Sequence, residues 1–343
     1  PTDDVVPTMF LPSPDGRTVM YEYFDYDDEV YGSIVYGVGV ADGVPALLAG
    51  DDEQVEVGGR TIGWMRDGTR VFFTERVIPS MNIRADLLSA TSFSTVPGDA
   101  SAPPSSLYEM GEYAYPDDVR QSRDGNLVMV VYYGQSENQV VDVFNSATGA
   151  PVSQEQIPFG GGHSSPRFLP DSSGLYLVDS DREGVDRYDP DGSNRASLFT
   201  PPAEHGAVKD FVLAPNGDDY AYIGFAFLVD GTSQALIVPN VDMLYIGSLS
   251  GGLRATVNLG SNTFFRELAF HPDGQHVFLD SYETGARMYA ASDGAAGPAL
   301  PIDSLGQLDI SADDGRLLLV VRAGRQVLDK PAETAVQPVL APG

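Results

Sequence analysis

The stretch Leu268-Ala269-Phe270-His271-Pro272-Asp273-Gly274, followed by Val277-Phe278-Leu279, decides the fold because its pattern returns along the chain. In each copy an apolar run leads into a tight turn rich in Asp, Asn, Ser and Gly, and a second apolar run follows. Self-similarity at a period of this size is typical of solenoids, propellers and arrays. The turn glycines lie 41 to 57 residues apart, near positions 16, 68, 125, 174, 217, 274 and 315.

No linker interrupts the seven copies, so residues 1–343 are expected to form a single domain. One unit of this size cannot bury its own apolar surface, and neighbouring units must share a core. Ring closure is expected to join the two chain ends, with Val5-Val6 or the residues just before them completing the last unit.

The runs around each turn predict β-strands, because they are short, rich in β-branched and aromatic residues, and bounded by Gly, Asp and Pro. A second glycine turn, as in Ser292-Asp293-Gly294, separates a third strand from a fourth in most units. No segment shows a helical stripe. The prediction is an all-β protein, a seven-bladed β-propeller of four-stranded antiparallel blades.

The first strand of each unit carries the most specific pattern. Ile62-Gly63-Trp64-Met65-Arg66-Asp67-Gly68 and Leu268-Ala269-Phe270-His271-Pro272-Asp273-Gly274 place an aromatic residue close before the turn. They resemble the Pro-x-Trp-Ser-Pro-Asp-Gly signature of TolB-type (PD40-type) propeller repeats. The third unit departs from it, with Gln121 in place of the aromatic residue. The resemblance implies the propeller architecture over nearly the whole chain.

Charge limits the class of partner. Asp and Glu number 49 against 20 Lys and Arg, which gives a formal net charge of −29. Such a surface repels nucleic acid and anionic lipid. There is no Cys, hence no thiolate chemistry, and no apolar run is long enough to span a membrane. Acidity and fold together favour an exported protein of the periplasm, cell surface or extracellular space.

Three acidic residues are candidates for a cation site. Asp118, Asp210 and Glu267 each lie seven residues before a turn glycine, near the start of the strand that lines a propeller's central channel. Carboxylates around a narrow channel would hold Ca²⁺ or another divalent cation, because hard cations take oxygen ligands. The alternative is a set of solvated rim residues on an acidic protein.

Two histidines extend this candidate metal site. His163 and His205 both lie a few residues before the innermost strand of adjacent units, close enough in that arrangement to approach each other beside Asp210. Imidazoles with a carboxylate form transition-metal or acid-base sites, although loop histidines more often cap or pack. His271 and His276 fall on a turn and at the start of a strand, where structural roles are expected.

Two irregular segments interrupt the repeat. Ser89–Pro104, rich in Ser, Thr and Pro, is interpreted as an extended loop of the second unit, and Phe225–Pro239 lengthens the fifth. Long loops on a rigid scaffold often carry binding function. Leu107 and Tyr108 beside the first segment are candidates either for exposed anchors or for core strand residues.

No complete catalytic motif is present, so no catalytic or cofactor-binding residue is assigned. The leading hypothesis is a non-enzymatic, exported TolB-like propeller that binds a protein partner as a scaffold. One alternative is a metal-dependent propeller enzyme, a lyase or hydrolase acting on carbohydrate or a lactone at the central channel. Another is a structural subunit of a surface assembly.

Overall fold

A computed structural model describes most of the chain as two compact units. The described residues are 7–13, 17–25, 32–39, 43–49, 55–57, 63–77, 91–110, 115–133, 139–152, 157–159, 166–179, 183–226, 241–261, 265–281, 285–299, 307–310 and 317–320. One unit comprises residues 1–159 with 190–192, and the other comprises 160–189 with 193–343. Val5 and Val6, proposed to close the ring, lie outside the described residues.

The first unit contains three antiparallel sheets whose strands follow in chain order. Sheet 1 consists of β1 (Pro7–Pro12), β2 (Thr18–Asp25), β3 (Gly32–Gly39) and β4 (Pro45–Ala49). Sheet 2 consists of β5 (Val55–Val57), β6 (Gly63–Trp64), β7 (Arg70–Val77), β8 (Thr91–Pro97) and β9 (Ser105–Met110). Sheet 3 consists of β10 (Tyr115–Gln121), β11 (Leu127–Tyr133), β12 (Gln139–Asn145) and β13 (Ile157–Phe159). Because β5 and β6 pair with the same edge of β7, sheet 2 is also four strands wide.

The second unit repeats this arrangement. Sheet 4 consists of β14 (Arg167–Phe168), β15 (Leu175–Val178), β16 (Val185–Tyr188) and β17 (Ala196–Phe199). Sheet 5 consists of β18 (Val208–Leu213), β19 (Asp219–Ala226), β20 (Val241–Ser248) and β21 (Gly252–Ser261). Sheet 6 consists of β22 (Phe265–Phe270), β23 (His276–Ser281), β24 (Gly285–Ala290) and β25 (Ala296–Ala299). Sheet 7 has two described strands, β26 (Gln307–Ile310) and β27 (Leu317–Val320).

The all-β prediction is confirmed. Every pair of described strands is antiparallel, and the described residues contain a single helix, a 3-10 turn at Ala203–His205. The fourth strand predicted after the second glycine turn is present, for example, as β4 in sheet 1 and β17 in sheet 4.

The repeated turn has one backbone geometry, which we call the first turn. In sheets 1 to 6, the N–H of its first residue donates to the carbonyl five residues later, at 2.7–2.9 Å. The six pairs are Ser13–Thr18, Met65–Arg70, Ser122–Leu127, Leu169–Gly174, Ala214–Asp219 and His271–His276. In sheets 2 to 6, an Asp or Asn side chain inside the turn also accepts a backbone N–H two residues on. Aspartate and asparagine recur here because they form this short bond.

Neighbouring sheets share their cores, as the repeat pattern requires. In the first unit, Phe72 and Phe93 of sheet 2 pack in one buried cluster with Val128 and Phe144 of sheet 3. In the second unit, one cluster joins sheets 4 and 5 and another joins sheets 5 and 6. Burial of these apolar faces is the main favourable free energy available to units too small to fold alone.

The interpretation of Ser89–Pro104 as an extended loop is wrong for residues 91–97, whereas residues 98–104 do lie outside the strands. Residues 91–97 form β8, the third strand of sheet 2, with Phe93 and Val96 buried. Leu107 and Tyr108 belong to β9 and pack against the core shared with sheet 3, so they are core strand residues and not exposed anchors. In the other irregular segment, residues 227–240 lie outside the described residues.

The departure at Gln121 also has a structural explanation. Its side-chain amide donates to the Trp64 carbonyl at 3.0 Å, and its carbonyl oxygen accepts the Arg66 N–H at 2.7 Å. The Arg66 guanidinium donates in turn to the Ser122 carbonyl at 2.9 Å. Gln121 therefore joins sheet 3 to sheet 2 through hydrogen bonds that an aromatic side chain cannot make.

Candidate functional site

The three predicted acidic ligands occupy one recurrent backbone position. Asp118, Asp210 and Glu267 each follow directly after a β-bulge in the first strand of sheets 3, 5 and 6. Met9 holds the same position in sheet 1. A bulge bends its strand and re-aims the neighbouring side chains. Counting back from the turn glycine therefore identifies a real structural equivalence.

Two of these carboxylates are engaged by arginine. In the first unit, Asp118 accepts from Arg120 at 2.7 Å. In the second unit, Asp210 lies 3.4 Å from the guanidinium of Arg167, which comes from the adjacent sheet. The Asp210 carboxylate also accepts the N–H of Phe211 at 2.8 Å. A guanidinium thus lies beside each carboxylate and repels a metal cation that approaches from that side.

His205 is engaged by tyrosines. Its ring stacks on Tyr245 with centroids 4.0 Å apart, and its Nδ1 is hydrogen-bonded to the Tyr222 hydroxyl. The loop that carries His205 lies close to β19, because a Cβ on Gly224 would come within 2.9 Å of the His205 carbonyl oxygen. Glycine at position 224 is what permits this approach.

Burial keeps this histidine neutral. Desolvation lowers the pKa of His205 below its ordinary value of 6.5, and the nearby Glu204 charge opposes this effect only in part. Burial also raises the pKa of Tyr222 far above its ordinary value of 10.0. At neutral pH both groups are therefore uncharged, and a hydrogen bond between two neutral groups joins Nδ1 of His205 to the Tyr222 hydroxyl.

Each described side chain of the predicted metal site thus has a different partner. Asp118 forms an ion pair with Arg120, Asp210 forms one with Arg167, and His205 is hydrogen-bonded to Tyr222. The backbone of Glu267 is described but its side chain is not, and His163 lies outside the described residues. A shared metal site formed by all five residues stays a prediction.

The structure brings together a different set of ligand types, which we call the sheet 6 turn cluster: His271, Asp273 and His276. The Nδ1 atoms of His271 and His276 lie 3.1 Å and 2.9 Å from the same oxygen of Asp273, its Oδ2. One potential ligand atom from each of the three residues lies within 4.8 Å of the others. The two histidines, expected to be structural, form the one three-residue group of metal-ligand types found among the described residues.

A sequence signal for this cluster exists. The first turn joins its first and sixth residues by a backbone hydrogen bond, so side chains five apart are neighbours across it. Histidine at both of these positions, with an acid between them, gives the spacing His-x-Asp-x-x-His. When each histidine is considered alone, without the geometry of the turn, the proximity of His271 and His276 is missed.

The chain is similar to solved propeller structures. The β-propeller domain of the Trilobed protease from Pyrococcus furiosus matches with a TM-score of 0.55 at 10% identity, over 92% of each chain. An oligogalacturonate lyase in complex with manganese matches with a TM-score of 0.60 at 12% identity, over 93% of this chain and 88% of that one. The fold is a β-propeller. Hsv2 from Kluyvelomyces marxianus matches with a TM-score of 0.53 at 14% identity, over 92% and 89%.

At identities of 10–14%, structural similarity establishes the fold alone. The similar propellers belong to enzymes and to other proteins. No protein-family model and no curated protein matches the sequence. Within the described residues, no helix is long and apolar enough to cross a membrane.

Proposed function

We propose that this chain is an exported, TolB-like, seven-bladed β-propeller that binds a protein partner as a scaffold in the cell envelope or extracellular space. In this proposal the seven described sheets are the blades of one ring. The recurrent first turn and the resemblance of its sequence to TolB-type repeats support the assignment.

One observation favours a scaffold over a metal-dependent enzyme. The predicted ligands Asp118, Asp210 and His205 already have partners within the protein. A metal ion at these carboxylates would lie close to the Arg120 and Arg167 guanidinium groups, whose positive charge opposes its binding. The enzyme alternative must overcome that repulsion, whereas the surface-subunit alternative involves no metal.

The outer hairpin of sheet 5 has the properties of a protein-binding surface. Its outer strand, β21, has ten residues, whereas the outer strands of the other four-strand-wide sheets have three to six. No described strand pairs with its outer edge. Bulges at both ends leave residues 255–258 regularly paired with β20. An edge of this kind can accept an extended segment of a partner as an added strand.

Exposed apolar side chains lie at the tip of the same hairpin. Leu249 is 36% exposed and Leu253 is 46% exposed, with Ser-Gly-Gly between them. The only charged residue of β21 is Arg254, which pairs with Asp219 in the same sheet. The rest of the acidic surface favours a basic partner and accelerates its association at low ionic strength.

An affinity experiment with matched variants tests the proposal. The purified protein is immobilised and incubated with envelope and secreted proteins of the source organism, and retained proteins are quantified by mass spectrometry. We expect a specific partner to be enriched by the wild type and reduced about tenfold or more by Leu249→Ser with Leu253→Ser, because apolar contacts at an interface centre dominate binding.

The control is a second exposed apolar pair. Val44→Ser with Leu47→Ser alters the outer hairpin of sheet 1, where these side chains are 63% and 37% exposed. This variant should retain the partner as the wild type does. Absence of any enriched protein, or equal losses in both variants, contradicts the proposal. The enriched partner is then purified and its direct binding measured at low and high salt.

A further inference from the structure

We propose that the sheet 6 turn cluster, His271, Asp273 and His276, is a binding site for a divalent transition-metal ion such as Zn²⁺. The site is separate from the predicted channel ligands and independent of the scaffold function. It lies on the turn between β22 and β23, and it needs no residue from another sheet.

The backbone of the turn holds the two imidazoles together. The His271 N–H donates to the His276 carbonyl at 2.9 Å, and the Gly274 N–H donates to the His271 carbonyl at 2.9 Å. The two rings are 6.2 Å apart between centroids and nearly perpendicular. Two of the three ligands are therefore brought close before a metal arrives, which reduces the conformational entropy lost on binding.

The two oxygens of Asp273 have different roles. Oδ1 accepts the backbone N–H groups of Gln275 at 2.7 Å and His276 at 3.2 Å, so it holds the turn. Oδ2 faces both histidine Nδ1 atoms. The carboxylate thus uses one oxygen for the turn and presents the other to both imidazoles.

Comparison with the equivalent turns shows what is specific to sheet 6. In sheet 2, Asp67 holds its turn through Oδ1 in the same way, and its Oδ2 binds the Arg70 guanidinium at 2.8 Å. The position beside Oδ2 therefore attracts a cation. In sheet 6 the residue equivalent to Arg70 is His276, whose neutral form offers a lone pair in place of a permanent charge.

The ligand types select the class of metal. Two imidazole nitrogens and one carboxylate oxygen suit Zn²⁺, Ni²⁺ or Cu²⁺, whereas Ca²⁺ and Mg²⁺ prefer all-oxygen sites. Metal bonds of about 2.0–2.2 Å to three such ligands are usual for Zn²⁺, and a water molecule takes the fourth position. The His276 side chain is 39% exposed and that of Asp273 is 32% exposed, so an ion can enter directly from solvent.

Three substitutions test the site with little risk to the fold, because each introduces the residue that an equivalent turn carries. His271→Ala copies Ala214, Asp273→Asn copies Asn216, and His276→Arg copies Arg70. The control is Asp124→Asn in the sheet 3 turn, which changes the same position without a histidine beside it.

Zn²⁺ binding is measured by titration calorimetry on chelator-stripped protein at neutral pH. We expect one Zn²⁺ to bind the wild type and the control equally, and each of the three variants to bind at least tenfold more weakly, since even loss of an outer-shell partner costs that much. In parallel, nuclear magnetic resonance of the wild type should show that the imidazole signals of His271 and His276 shift at lower Zn²⁺ concentration than the signal of His205. Absence of Zn²⁺ binding to the wild type, or any of the three variants within tenfold of it, overturns the proposal, as does an unshifted His271 and His276 pair.

Discussion

Replacing Lys209 by methionine is expected to lower the free energy of unfolding by about 3–5 kcal/mol. The Lys209 ammonium lies 2.6 Å from the Asp242 carboxylate, whose side chain is fully buried. Methionine fills a similar volume but removes the ammonium that lies against this buried carboxylate. Removing one partner of a buried ion pair costs far more than the pair itself contributes.

The position of Lys209 in its strand explains the contact. Lys209 is the extra residue of the bulge in β18, between Val208 and Asp210 in the pairing register. Its ammonium also lies 5.5 Å from the ring centroid of Phe265 in β22, within range of a cation-π interaction. The substitution therefore acts on sheet 5 and on its contact with sheet 6.

Urea unfolding of three variants tests this expectation. Lys209→Met with Asp242→Asn should recover most of the stability, because the second change removes the buried negative charge that the Lys209 ammonium balances. Arg120→Met removes the cation of the Arg120–Asp118 pair, whose side chains are both about a quarter exposed, and we expect a smaller loss, of about 1 kcal/mol. A Lys209→Met protein within 1 kcal/mol of the wild type, or a double variant no more stable than the single one, contradicts the account.

The second large effect is expected at Gly149, where alanine should cost about 2–5 kcal/mol. Gly149 has a φ of +69°, which costs an alanine about 1–2 kcal/mol. An added Cβ would also lie 1.6 Å from the carbonyl oxygen of Leu107, in β9 of sheet 2. Relieving such a clash by moving packed backbone adds about 1–3 kcal/mol.

Two equivalent glycines provide a graded comparison. Gly43, Gly149 and Gly294 all lie in the turn between third and fourth strands, have φ of +65° to +72°, and donate their N–H to the carbonyl four residues earlier. A Cβ on Gly43 meets nothing within 4 Å, whereas on Gly294 it meets Val257 and Ala255 side chains at 2.9 and 3.0 Å. Destabilisation by alanine should rise in the order 43, 294, 149 in thermal unfolding. Equal losses of thermal stability in all three alanine variants would show that the clash with sheet 2 has no effect.

The first turns were predictable because their chemistry is local. Asp67 and Asp273 accept backbone N–H groups two residues away, and Gly68 and Gly274 adopt positive φ, so the residue types follow from the turn itself. The strands on either side have the apolar pattern that the shared cores require. These features need no knowledge of distant contacts.

The strand β8 was missed because its composition resembles that of a loop. Ser94 and Thr95 are both buried between paired neighbours, although serine and threonine clusters usually indicate irregular structure. Burial is possible here because the strand is hydrogen-bonded on both edges, which satisfies the polar backbone. The assignment of β8 as a strand therefore depends on its pairing with β7 and β9, which the sequence does not show.

The pairing of the candidate ligands was predictable to different degrees. Arg120 lies two residues after Asp118 on one strand, and alternation puts both on one face, so that ion pair could be read from sequence. Arg167 lies 43 residues before Asp210, and their contact depends on how two sheets pack. His271 and His276 needed only the turn register, which becomes apparent once all six turns are compared.

A crystal structure is the most direct test of the central claim that seven successive sheets form one propeller. We expect seven blades around one axis, with the first-turn hydrogen bond from residue one to residue six repeated in at least the first six. A different number of blades, or sheets that do not surround a common axis, would contradict it.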